Sequence, residues 1–238
     1  MFTKEYLMQM IPQQFADMQA KGFHNSYRSP AIVQGLIVSE IIEGFEALRK
    51  GRVSDADEAA HALRGLTQFP ANTEHEARAY ANYYEKYFKD TVEAEMAGTC
   101  LRCFDAIGAR LHEGGGVFVD TGINREDGFM LESLAAAAAM RISKCMEGVI
   151  RYYDAENVAL FPEILVGAIP PAMGIQTAPS DYTAHGVAPY ITELNSYVET
   201  LANMARIATY FGVDLLTHIE LEVAYNRTRA YQHGGRKY

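Results

Sequence analysis

Cysteine is scarce in this chain of 238 residues, with only Cys100, Cys103 and Cys145. Three thiols cannot all pair internally, so a disulfide framework is excluded and a reducing compartment is expected. Cys100 and Cys103 form a C-x-x-C with no second such pair and no close histidine, so a zinc set is missing. Their spacing puts both thiols on one side of a helix, packing as small apolar residues. An excess of positive charge is also lacking. Lys plus Arg is 21 against 30 for Asp plus Glu, a net charge of −9. That balance argues against nucleic acid as a partner. No long apolar run is present. The longest uncharged stretch, Ile164 to Ser180, is interrupted by Pro170, Pro171 and Pro179, so no membrane helix is expected. The first ten residues carry Lys4 and Glu5 and no signal-peptide core. A soluble cytoplasmic protein follows as the expectation. A phosphate-cradling glycine loop is missing too, since Gly114 to Gly116 lack a following Lys-Ser/Thr.

What is present is apolar and helix-forming. Hydrophobic residues make up 49% of the chain, enough for a substantial core. Alternating strand patterns are rare, and Ala, Met, Leu and Glu dominate the periodic stretches, which makes the fold class all-α. Periodicity places helices near 3–20, 30–50, 54–65, 72–111, 127–154, 188–211 and 213–228. Ser29-Pro30 starts the second and Gly51 ends it. Asn72, with Glu74 and Glu76 behind it, starts the long fourth helix. Gly114 to Gly116 break the chain, and Val117 to Val119 follow as a short β-like run or loop. The five prolines between Phe161 and Pro189 mark an irregular crossover.

A weak repeat relates Val38–Gly44 to Ile142–Gly148 through Ser, Glu and Gly, each stretch followed by a Phe-Pro. Three identities in so short a window suit coincidence as well as duplication. Read as a duplication, it divides the chain into a helical unit over 1–112 and a degenerate one over 113–238, whose tail completes a four-helix-bundle-like fold. The two units then form either a tandem pair or one integrated domain.

Acids placed among apolar residues carry the functional argument. Around 31–49, Val33, Leu36, Ile37, Gly44 and Leu48 share a face, with Glu40 in its middle and Glu43 beside it. A carboxylate inside an apolar stripe is costly unless paired or bound to a cation. Around 88–111, a narrow polar stripe carries Glu95, Arg102 and Asp105, with Gly98 in line. Period alone leaves open whether Glu93 or Glu95 points at a site. Acids facing each other from two helices suit Mg²⁺, which takes hard oxygen ligands.

The stretches Lys21-Gly22-Phe23, S-E-I-I-E-G-F-E-A-L-R-K-G (39–51), F-K-D-T-V-E-A-E-M-A (88–97), L-R-C-F-D (101–105) and H-I-E-L-E-V-A-Y-N-R-T-R-A-Y-Q-H-G-G-R-K-Y (218–238) resemble a family. They are similar to the MazG-like, all-α nucleoside triphosphate pyrophosphohydrolases, which include small phage and bacterial members. The resemblance covers roughly 15–110 and 211–238. It implies an E-x-x-E and an E-x-x-D that hold Mg²⁺, followed by an Asn and basic residues. Carried over, Glu40 and Glu43 match the first pair, and Glu95 matches the third acid. Asn226, Arg229 and Lys237 match the substrate-binding groups. Gly98 stands where the family has Asp, and Glu93, Asp105 and Glu199 are the open candidates to replace it. In the second copy Lys144 replaces the first Glu, and Glu147 keeps the second. The implied reaction is Mg²⁺-dependent hydrolysis of a nucleoside triphosphate to monophosphate and pyrophosphate by a homo-oligomer, typically a dimer. The alternative is a catalytically decayed relative that binds nucleotides or a protein partner. His218 and Tyr83, Tyr84 and Tyr87 read as packing residues, His185 as an exposed loop residue.

Overall fold

Capping residues set most helix boundaries. Thr3 accepts a hydrogen bond from the Tyr6 amide (3.1 Å) and opens α1, Lys4–Ala20. Ser29 caps α2, Pro30–Arg49, with Pro30 in the first turn, where its missing N–H costs nothing. Gly51, at φ +67°, ends α2. The Gly51 amide reaches Leu48 O (2.9 Å) and the Arg52 amide reaches Ala47 O (2.9 Å), satisfying two end carbonyls. Asp55 Oδ1 accepts from the amides of Asp57 and Glu58 and starts α3, Ala56–Gln68. Thr73, not Asn72, caps α4, Glu74–Tyr87, in a reciprocal capping box with Glu76. Then follow α5, Val92–Val119, α6, Asp127–Tyr152, α7, Val187–Phe211, and α8, Leu215–Thr228, the last capped by Asp214.

A computed structural model of the chain describes residues 2–26, 28–68, 73–119, 127–152 and 187–230. Among them are eight helices and no strand, so the all-α class holds. Two further expectations are corrected. The helix expected over 72–111 is two helices. Phe88 and Lys89 both turn back onto Tyr84 O, and Asp90 takes the left-handed region at φ +62°. Thr91 then donates to Phe88 O (2.7 Å) and accepts from the Ala94 amide, so it both closes the turn and caps α5. Apolar periodicity runs through this break because Phe88 and Val92 are both buried. Gly114 to Gly116 also do not break the chain, since α5 runs on to Val119. Glycine lowers helix propensity by about 1 kcal/mol per residue, and the 22 preceding residues of α5 supply a formed helix to extend.

The main core is built around α5. Met96, Ala97, Cys100, Cys103, Phe104 and Ile107 are buried there against Leu7 and Ile11 of α1, Ile37 and Ile41 of α2, and Ala205 of α7. Both thiols are buried and unbridged, as the spacing predicts. Gly108 lets α1 lie close, because a Cβ there would meet Phe15 Cβ at 2.6 Å. The same core takes in Ala138 and Ile142 of α6, so its residues come from both sides of position 112. A smaller core joins Ala59 and Ala62 of α3, Tyr84 and Phe88, and Leu221 and Tyr225 of α8. Helix α8 therefore belongs to both cores. No helix is long and apolar enough to cross a membrane among the described residues.

The left-handed turn at Asp90 yields a stability prediction. Asp90→Val is expected to destabilise by about 1–2 kcal/mol, while Asp90→Gly is neutral or slightly stabilising. The exposed Arg52–Asp90 pair (3.5 Å) contributes little to either comparison. Urea midpoints of the two variants check this, and equal midpoints contradict it.

Candidate metal and substrate site

Helices α2, α5 and α8, the end of α8 and the α4–α5 turn supply the charged groups of the site. Glu40 and Glu43 lie one turn apart on α2, and Glu95 lies in the first turn of α5. A carboxylate oxygen from each falls within 4.8 Å of the other two. Glu40 also accepts from Arg102 Nε at 3.1 Å, and Glu43 from Ser39 Oγ at 2.8 Å. The acids line a cleft of about 300 Å³ that Tyr84, Tyr225, Asn226 and Arg229 also line. The structure thus brings together Glu40, Glu43, Glu95, Asn226 and Arg229. Lys237, and the tail beyond residue 230, lie outside the described residues, as do His185 and the side chains of Lys144 and Glu147.

The candidates to replace the acid expected at 98 are all engaged elsewhere. Glu93 accepts from the Ser54 amide (2.8 Å) and ties the start of α5 to the α2–α3 connection. Asp105 is held by His24 Nε2 at 2.6 Å and by Arg28 Nη2 at 2.9 Å, one partner for each oxygen. Glu199 pairs with Arg141 at 2.9 Å. Of Glu93 and Glu95, Glu95 is the one that faces the cleft.

Two lining residues escape the motif reading. Glu222 projects from α8 into the same cleft, one turn before Asn226. Its Oε1 meets Asn226 Nδ2 at 3.5 Å, and its Oε2 is buried without a hydrogen-bond partner. A sequence signal exists: the acid sits between buried Leu221 and Val223 and shares a face with Asn226 and Arg229 at i+4 and i+7. Lys89, on the α4–α5 turn, lines the rim, and its ammonium has no partner among the described residues. Arg229 Nη1 donates to Asn226 Oδ1 (3.2 Å), and the guanidinium carbon lies 5.5 Å from the centre of the Tyr225 ring. Tyr225 itself stacks on Tyr84, with centroids 4.4 Å apart.

Like charges and burial define the electrostatics. Burial, then the charges of Glu40, Glu43 and Glu222 and a hydrogen bond with Glu40, push the Glu95 carboxyl up to about 9. Burial and the Glu40 charge push Glu222 up to about 8. His218 is packed against Phe88 and bonded to Ser54 Oγ (3.0 Å), and burial lowers it to about 4. It is a packing residue, as expected from its position.

No family model matches this chain, and no curated protein or solved structure matches it. The MazG-like resemblance rests on the motif residues themselves.

A pH dependence follows for the cation-free protein. Folded Glu95 and Glu222 bind protons more tightly than in the unfolded chain. Their contribution is full below about 4.5 and is lost as pH rises through about 8 to 9. His218, held neutral, adds stability as pH rises from about 4 to 6.5 and is silent above. In EDTA, melting temperature is expected to peak near pH 4.5, because above it the two acids lose more than His218 adds, and to fall toward pH 9, and Glu95→Gln flattens that fall. A wild-type melting temperature constant above pH 6.5 contradicts this assignment.

Proposed function

We propose that the protein is a divalent-cation-dependent nucleoside triphosphate pyrophosphohydrolase, with Mg²⁺ held by Glu40, Glu43 and Glu95. The observation that carries this reading is the convergence of three carboxylate donors from two helices in a cleft with basic groups on its rim. An all-carboxylate donor set suits a hard cation rather than zinc or copper. The chemistry such a cation supplies when bound is neutralisation of phosphate charge and activation of a water molecule.

The chain's own residues do the rest. Acids alone repel a triphosphate, so Arg229 and Lys89 supply the attraction at the rim. Asn226 holds the Arg229 guanidinium, and the Tyr225 ring supports it from one side. Tyr225 is in turn fixed by its hydroxyl donating to Glu85 (2.7 Å) and by its stack on Tyr84. In this reading water attacks the α-phosphorus, the α–β bridging bond breaks and pyrophosphate leaves, and positioning dominates catalysis. The reading extends to a homodimer working on soluble nucleotides in the cytoplasm, without nucleic acid or membrane as partner.

A second reading, favoured by Gly98 in place of the family's Asp, is a decayed relative that binds nucleotides without turning them over. Pyrophosphate release with Mg²⁺ across ribo- and deoxyribonucleoside triphosphates separates the two. Turnover is expected, lost by roughly 100-fold or more in Glu43→Ala and weakened mainly through KM in Arg229→Ala. Folded protein inactive on every triphosphate moves the conclusion to the second reading.

A further inference from the structure

We propose that the fourth carboxylate of the cation site comes from α8, as Glu222, and that Gly98 is bare so that Glu40 and Glu222 can both border the space beside it. This rests on the cation reading above. It assigns a positioning and ligating role to a residue outside the E-x-x-E and E-x-x-D pattern.

Three observations converge on it. Gly98 lies on α5 between Glu95 and Arg102, facing the cleft. A Cβ built on it lies 2.8 Å from Glu40 Oε2 and 3.5 Å from Glu222 Oε1. The space that a side chain at 98 would enter is therefore flanked by two carboxylates from two other helices. Next, Glu222 Oε2 is sealed from solvent and accepts no hydrogen bond. Buried polar atoms in native structures are almost always satisfied, and an unsatisfied charged one is costly. The cation-sized set of Glu40, Glu43 and Glu95 closes within 4.8 Å without Glu222, so the Glu222 carboxylate has to turn toward it to give that oxygen a partner. Last, the alternatives are spent: Glu93 on Ser54, Asp105 on His24 and Arg28, and Glu199 on Arg141.

Two other features fall short of this. The cavity lined by Phe15, Arg28 and Tyr197 shares Asp105 with the cleft, and its known contacts already satisfy that acid. The apolar groove between Tyr6, Leu63 and Val223 shows nothing that covers it.

Mn²⁺ titration calorimetry on the full chain, with melting curves in EDTA and in Mn²⁺, tests the proposal. Wild type is expected to bind Mn²⁺ and melt higher with it. Glu222→Gln is expected to weaken Mn²⁺ affinity at least tenfold and to shrink the Mn²⁺-induced gain in melting temperature. Gly98→Ala is expected to keep the fold, because its Cβ meets only the end of the Glu40 side chain, and to weaken Mn²⁺ by displacing that carboxylate. Wild-type affinity in both variants, with Glu43→Gln impaired, overturns the role of Glu222 and leaves the cation reading standing. Wild type that binds no Mn²⁺ overturns the cation reading and this proposal with it.

Discussion

Mutual repulsion among carboxylates in one half-buried cleft is the constraint around which the molecule is arranged. Glu40 and Glu43 come from α2, Glu95 from α5 and Glu222 from α8. Packing of apolar faces forces these helices together, and the same packing forces the acids together. Some compensation is built in. Arg102 sits on Glu40, and two of the acids are pushed toward their protonated forms. Neither device satisfies Glu222 Oε2. Acids gathered so densely around a cleft leave a strongly negative field there, which the cation proposed above would neutralise.

Much of this was legible in the sequence. Ser29-Pro30 and Gly51 bound α2 because capping chemistry is local and depends on one or two residues. Glu40 stood out because an acid in an apolar stripe violates the pattern that packing demands. The burial of Cys100 and Cys103 followed from their spacing and the apolar company around them. These readings need only a helix and its period.

Other features needed the third dimension. The break between α4 and α5 is invisible to periodicity because Phe88 and Val92 stay buried on either side of a left-handed Asp90. The choice between Glu93 and Glu95 was undecidable from period, and is settled by an amide 39 residues away, that of Ser54. Asp105 looked available in the stripe with Glu95, yet His24 and Arg28, from the connection after α1, occupy both its oxygens. Glu222 lies within the 218–238 stretch. Its meaning lay in a cross-helix approach to Gly98, which no local pattern encodes.

The tie at the start of α5 has a geometric consequence. The Val92 amide donates to Arg52 O (3.0 Å), and Glu93 takes the Ser54 amide, so α5 is fastened to the chain just after α2 by two bonds at one end. Sliding α5 by one helical turn, about 5.4 Å, would exceed the whole spread of the three-carboxylate cluster. Those two bonds act as an end-stop that indexes one helix against the other. The spacing of the three carboxylates is thus set several residues away from the acids themselves, in a loop that does not line the cleft.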